Sequence, residues 1–138
     1  MNSVVVIMVI GIIIIGIMLL IVISMTRKKV PGLDQEAFRG KWLKIEGSTL
    51  DDEASQHLAI LSADKLLDAA LKARGFSGET MGERMKNARS TFSNNDAVWA
   101  AHKLRNKIAH ESDVVIKPKT IRYALQAFKK ALKDVGAL

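Results

Sequence analysis

The run His102-Lys103-Leu104-Arg105-Asn106-Lys107-Ile108-Ala109-His110-Glu111 gathers an Arg, an Asn and two of the chain's three histidines into ten positions. On a helix, His102, Asn106 and His110 are spaced i, i+4, i+8 and share one face, with Arg105 beside it. Such residues do not make a packing stripe; they suit work on a phosphate. Arg carries a planar donor fork matched to phosphate and does not lose its charge. His takes up and returns a proton near neutral pH. Asn can hold an imidazole or an anionic oxygen. Together they suit metal-independent RNA cleavage, in which a 2′-hydroxyl attacks its own phosphate. Arg105, Asn106 and His110 are then the catalytic candidates, and His102, Lys103, Lys107 and Arg122 the candidate binding residues. Plainer roles stand beside these: Arg105 could pair with an acid on the preceding long helix, and His110 could cap its own helix, where a cation is favoured.

No metal or other cofactor is expected. The nearby carboxylates are too few for a two-metal nuclease, and Asn106 between the two histidines replaces an HxxxH zinc pair. The chain has no Cys, which excludes a thiol nucleophile, a Cys-ligated zinc site and a disulfide scaffold. His57 stands apart from the motif and reads as an ordinary surface histidine, and Met81 and Met85 read as core.

The elements that must position the motif are helical. Asp34 can cap a short helix carrying Phe38, Trp42 and Ile45, and Trp42 suits either a membrane interface or the domain. After a break at Gly47-Ser48-Thr49, Asp51, Asp52 and Glu53 open a long helix to Arg74, with Ile60, Ala63, Leu67, Ala70 and Leu71 as its apolar stripe and Gly75 as its stop. Spacing of Met81, Met85, Ala88 and Phe92 predicts a helix over 80–92. Asn94-Asn95-Asp96 caps the motif helix, which runs to about His110. An extended connection at 112–117 leads to Pro118 and a last helix striped by Ile121, Leu125, Phe128, Leu132 and Val135. No alternating strand pattern of useful length occurs. The expected fold is an all-α bundle of about four main helices behind an N-terminal transmembrane helix.

Residues 1–26 contain no charged residue and no His, and Val4–Ile23 is unbroken apolar or Gly. Twenty residues rise roughly 30 Å as a helix, the hydrocarbon thickness of a bilayer. There is no basic n-region or A-x-A site, so a retained single-pass membrane anchor is expected rather than a cleaved signal. Arg27-Lys28-Lys29 follows directly, which puts the N-terminus outside and the rest in the cytoplasm. The formal net charge of +7 is unevenly spread. Residues 103–133 hold nine basic and two acidic side chains, against nine and eleven in 30–102. On the last helix Arg122, Lys129 and Lys133, with Gln126, form a polar stripe. It reads either as a solvated helix face or as a surface for an anionic partner: RNA, a nucleotide or a lipid surface.

The segment Arg105-Asn106-Lys107-Ile108-Ala109-His110, with its helical surroundings, resembles the signature of HEPN domains: an Arg, a polar residue, then a His after four to six intervening positions. The resemblance covers roughly 51–136. It implies a helical domain, often homodimeric and often a metal-independent endoribonuclease, although some members only bind. It also implies that the motif His acts in acid–base chemistry and the Arg on the phosphate, the motifs of two protomers meeting at the dimer interface. By position these roles fall on His110 and Arg105, with Asn106 as the polar neighbour. The expected plan is a transmembrane anchor (1–26), a basic stop and short linker helix (27–50), and a HEPN-like domain (51–138) that dimerises through the motif-bearing helix. Its expected function is RNA cleavage, or else non-catalytic nucleotide or RNA binding or protein assembly at the membrane.

Overall fold

The computed structural model describes residues 2–26, 32–48 and 52–138. Among these, the chain forms α1 (Ser3–Thr26), α2 (Gln35–Gly47), α3 (Glu53–Ala73), α4 (Met81–Asn87), α5 (Asn95–His110) and α6 (Pro118–Asp134), with a 3-10 turn at Arg89–Thr91 and no strand. The all-α expectation is met. Arg27-Lys28-Lys29, the Val30-Pro31 part of the first break, and Thr49 to Asp51 lie outside the described residues.

α1 is long and apolar enough to cross a bilayer, and none of its Ser3–Ile23 stretch is buried against the rest of the chain. The other helices form a bundle around α3, which packs on α2, α4, α5 and α6. Their starts are where short acceptors stand. The Asp34 carboxylate accepts from Ala37 N–H, Asp52 from Ser55 N–H at 2.8 Å, and Asn94 from Ala97 N–H at 3.0 Å. Thr80 and Glu83 close a reciprocal capping box on α4. Past α3, Gly75 takes φ +82°, the left-handed turn that favours glycine.

The core joins Ile60, Leu67 and Leu71 of α3 to Ile121, Phe128 and Leu132 of α6 and Met85 of α4, all essentially fully buried. Trp42 of α2 is also in this core, at 3% exposure, which settles its placement in favour of the domain. Lys129 holds α2 from the other side, at 2.5 Å from Glu46 and over the Trp42 ring. Gln35 donates to the Gly136 carbonyl at 2.7 Å. The bundle therefore draws on α2 as well as on 51–138. The helix expected over 80–92 is shorter: α4 ends at Asn87, whose side-chain amide donates to the Ser77 carbonyl, and Ser93 donates through N–H and Oγ to Asp134. These bonds fix the exit from α4, yet Phe92 still reaches the core.

α4 is too short to hold by packing alone, and a buried arginine secures it. Arg84 donates from Nε to Asp68 Oδ1 at 2.6 Å and from Nη1 to the Gly78 carbonyl, while Lys72 pairs with the other Asp68 oxygen. Burial by itself would raise the Asp68 carboxyl; the hydrogen bonds from Arg84 and Lys72 together outweigh it, and the net shift is downward. A carboxyl lowered in the folded state stabilises above its unfolded pKa, and that contribution is lost as pH falls through the folded value. Chemical denaturation from pH 6 down to pH 2 should therefore show stability falling below about pH 4. Asp68→Asn should be less stable at pH 6 and should flatten this fall.

Candidate functional site

α5 turns Val98 and Ala101 into the core, and its next turn carries polar groups against α3. There Asp64, at 3% exposure, sits within the apolar stripe of α3. His102 Nδ1 lies 2.7 Å from Asp64 Oδ1, and His102 itself is 7% exposed. The carboxylate can only accept here, so Nδ1 carries the proton and Nε2 is left as an acceptor. Asn106 Nδ2 donates to that nitrogen at 3.3 Å, and Asn106 Oδ1 accepts from Arg105 Nη1 at 2.8 Å. Arg105 Nε is buried and returns to Asp64, 3.3 Å from Oδ2, as an ion pair without hydrogen-bond alignment. The four side chains thus close a ring: Asp64, His102, Asn106, Arg105 and back to Asp64. The tautomer and the amide orientation are those the ring requires. The Trp99 ring packs edge-on to the His102 imidazole at 5.9 Å between centroids.

The ring determines what each member can do. Both nitrogens of His102 are engaged, so it holds the network and is not a free acid or base. The Arg105 side chain is 36% exposed. Its Nε end is fixed and one Nη1 proton is used on Asn106, while the Nη2 protons have no partner among the described residues. A guanidinium fixed at its inner end, with its outer edge unused, is fit to take an anion.

His110 is placed differently. It is the last residue of α5, is exposed, and its side chain makes no hydrogen bond or ion pair among the described residues. It lines an open groove with Glu53, His57, Glu111, Asp113 and Val115. His57 is therefore not apart from the motif; it is half-buried in the same groove, 3.7 Å from Glu53. α5 stays helical through His110 and Glu111 ends it in an extended conformation. Five residues on a helix are roughly 140° apart in projection, so one chain presents Arg105 and His110 on different faces.

Of the sequence candidates, the structure brings together His102, Arg105 and Asn106. Lys103 and Lys107 are exposed on α5, Lys107 at 3.9 Å from Glu111, and Arg122 is exposed on α6. Asp64 is the residue that the motif did not name. Its signal was a lone acid between Ala63 and Leu67 on a stripe that is otherwise apolar. Among the described residues, no three His, Asp or Glu side chains converge as metal ligands.

Removing Asp64 leaves a buried Nδ1–H and a half-buried guanidinium without their acceptor. Asp64→Ala should destabilise the bundle by roughly 2–4 kcal/mol in denaturant titrations. His110→Ala, at an exposed helix end, should stay within about 0.5 kcal/mol of wild type.

No family model, curated protein or solved structure matches the chain in the comparisons made.

Proposed function

We propose that this chain is a membrane-anchored HEPN-like domain that cleaves RNA without a metal, with its N-terminus outside and the bundle in the cytoplasm. One observation carries the reading: Arg105 is held between the buried Asp64 carboxylate, 3.3 Å from Nε, and Asn106 Oδ1, which accepts from Nη1, so that the outer edge of the guanidinium is presented ready for a phosphate. Pre-orientation of this kind lowers the cost of holding the reacting group. Lys103 and Lys107, exposed on the same helix, would attract the strand.

The cutting unit is a homodimer through α5. Arg105 and His110 face apart on one chain, and α5 remains helical to its end, so a second copy is what could bring a His110 to an Arg105. In that pair Arg105 and Asn106 hold the phosphate, and His110 takes the 2′-hydroxyl proton. The O2′–P bond forms, the P–O5′ bond breaks, and the proton is returned to the departing 5′-oxygen. The products are a 2′,3′-cyclic phosphate and a 5′-hydroxyl.

A second reading, a nucleotide- or RNA-binding or assembly module without turnover, is favoured by the acids around His110. Glu53, Glu111 and Asp113 line its groove and would oppose a phosphate there.

The purified full chain should cut RNA in EDTA. His110→Ala should slow cleavage about 100-fold or more with an unchanged melt, and Arg105→Lys should also fail, since an ammonium cannot reproduce the fork. Binding that weakens with salt and with Arg105→Ala, without cleavage, selects the second reading. A result of neither cleavage nor binding contradicts RNA as the partner and leaves only protein assembly.

A further inference from the structure

The proposed RNA site leaves the outer face of α6 unused. Lys119, Arg122, Tyr123, Gln126 and Lys130 fall within an arc of about 100° on that helix, and all five are exposed. The arc lies opposite the buried Ile121, Phe128 and Leu132. No acid occurs from Val114 to Lys133. Asp134, at the end of α6, is taken up by the N–H and Oγ of Ser93. Lys129 pairs with Glu46, but Lys119, Arg122 and Lys130 form no ion pair among the described residues.

This face is also apolar in places. Tyr123 is 59% exposed with Lys119 Nζ 5.6 Å from its ring centre. Between α5 and α6 runs a slot lined by Ala97, Ala100, Leu104, Tyr123 and Ala127. Cations beside an aromatic ring and bare aliphatic surface match a leaflet, which offers charged headgroups over an apolar layer. An RNA strand can also stack a base on a tyrosine ring, but it has no aliphatic layer to cover the alanine- and leucine-lined slot.

Chain length supplies the proximity. Eight residues separate Thr26 at the end of α1 from Gln35 at the start of α2. Fully extended, they reach roughly 30 Å, so a bundle tethered by α1 meets the bilayer surface at high effective concentration.

We propose that the outer face of α6 docks on the anionic leaflet of the membrane that α1 enters. The proposal rests on α1 spanning the bilayer with the bundle on the cytoplasmic side. Lys119, Arg122 and Lys130 engage the headgroups, and Tyr123 sits at the headgroup level. Docking by α6 leaves the Asn106 and His110 face of α5 for RNA.

Since the chain has no Cys, Tyr123→Cys gives a unique attachment point for an environment-sensitive fluorophore. The full chain is reconstituted into vesicles of phosphatidylcholine alone, or of phosphatidylcholine with a third phosphatidylglycerol. Leu58→Cys, exposed on α3, is the reference position. With anionic vesicles the label at 123 should shift to the blue, and its quenching by neutral acrylamide should fall to half or less; the label at 58 should change little. High salt, or Lys119→Glu with Arg122→Glu and Lys130→Glu, should restore quenching while leaving the melt unchanged. Equal quenching in both vesicles, equal protection at 58 and 123, or protection by added RNA and not by lipid would overturn the proposal. Resistance of the protein to alkaline carbonate extraction reports insertion of α1 separately, so a failed anchor is told apart from a failed docking face.

Discussion

A carboxylate removed from water must be given partners, and Asp64, at 3% exposure, is the most deeply buried carboxylate among the described residues. It lies between apolar neighbours on α3, where an isolated charge would cost several kcal/mol or would take up a proton. α5 answers with His102 on one oxygen and Arg105 on the other. This fixes the rotation of α5 about its axis, because His102 and Arg105, which answer Asp64, and Asn106, which links them, lie on one side of the helix. It also fixes which nitrogen of His102 carries its proton, which way the Asn106 amide faces, and which edge of Arg105 remains open. The orientation of a candidate phosphate-binding group thus follows from the need to satisfy one buried charge.

Much of this was legible in the sequence because the signals are local. Caps at Asp34, Asp52 and Asn94 and the stop at Gly75 mark helix ends through bonds made within a few residues, and Pro118 marks the start of α6 by its fixed φ. Leu67 and Phe128 could be placed in the core by their period alone. What escaped depends on partners distant in the chain. Asp64 and His102 are 38 residues apart, and no spacing rule joins them, although an acid on the long helix was one of the roles open to Arg105. Trp42 could be assigned only when α2 was seen against α3 and Lys129. α4 stops early because Asn87 finds Ser77, a bond that periodicity does not report. His57 meets His110 in one groove only because the start of α3 and the end of α5 are neighbours.

The charge of the chain is divided by the fold in a way composition conceals. The excess of basic residues over 103–133 is not one patch. Arg105 is turned inward to Asp64 and Lys129 to Glu46, so both serve packing as well as charge. Lys103 and Lys107 stay on α5, while Lys119, Arg122 and Lys130 stay on α6. On the proposed reading these two sets serve different anions, a nucleic acid strand and a lipid leaflet. On the same reading α1, as an anchor, decides which surface the bundle meets first.

The central claim is that Asp64 acts on RNA through Arg105, and a double-mutant cycle tests it most directly. RNA affinity at low salt is measured for wild type, Asp64→Asn, Arg105→Ala and the double variant, all checked to be folded. If Asp64 serves to position the guanidinium, Asp64→Asn weakens binding in the presence of Arg105 and has no further effect once Arg105 is gone. If the two losses simply add, or if Asp64→Asn binds RNA more tightly because a negative charge has been removed, the carboxylate does not orient the arginine for phosphate and the account fails.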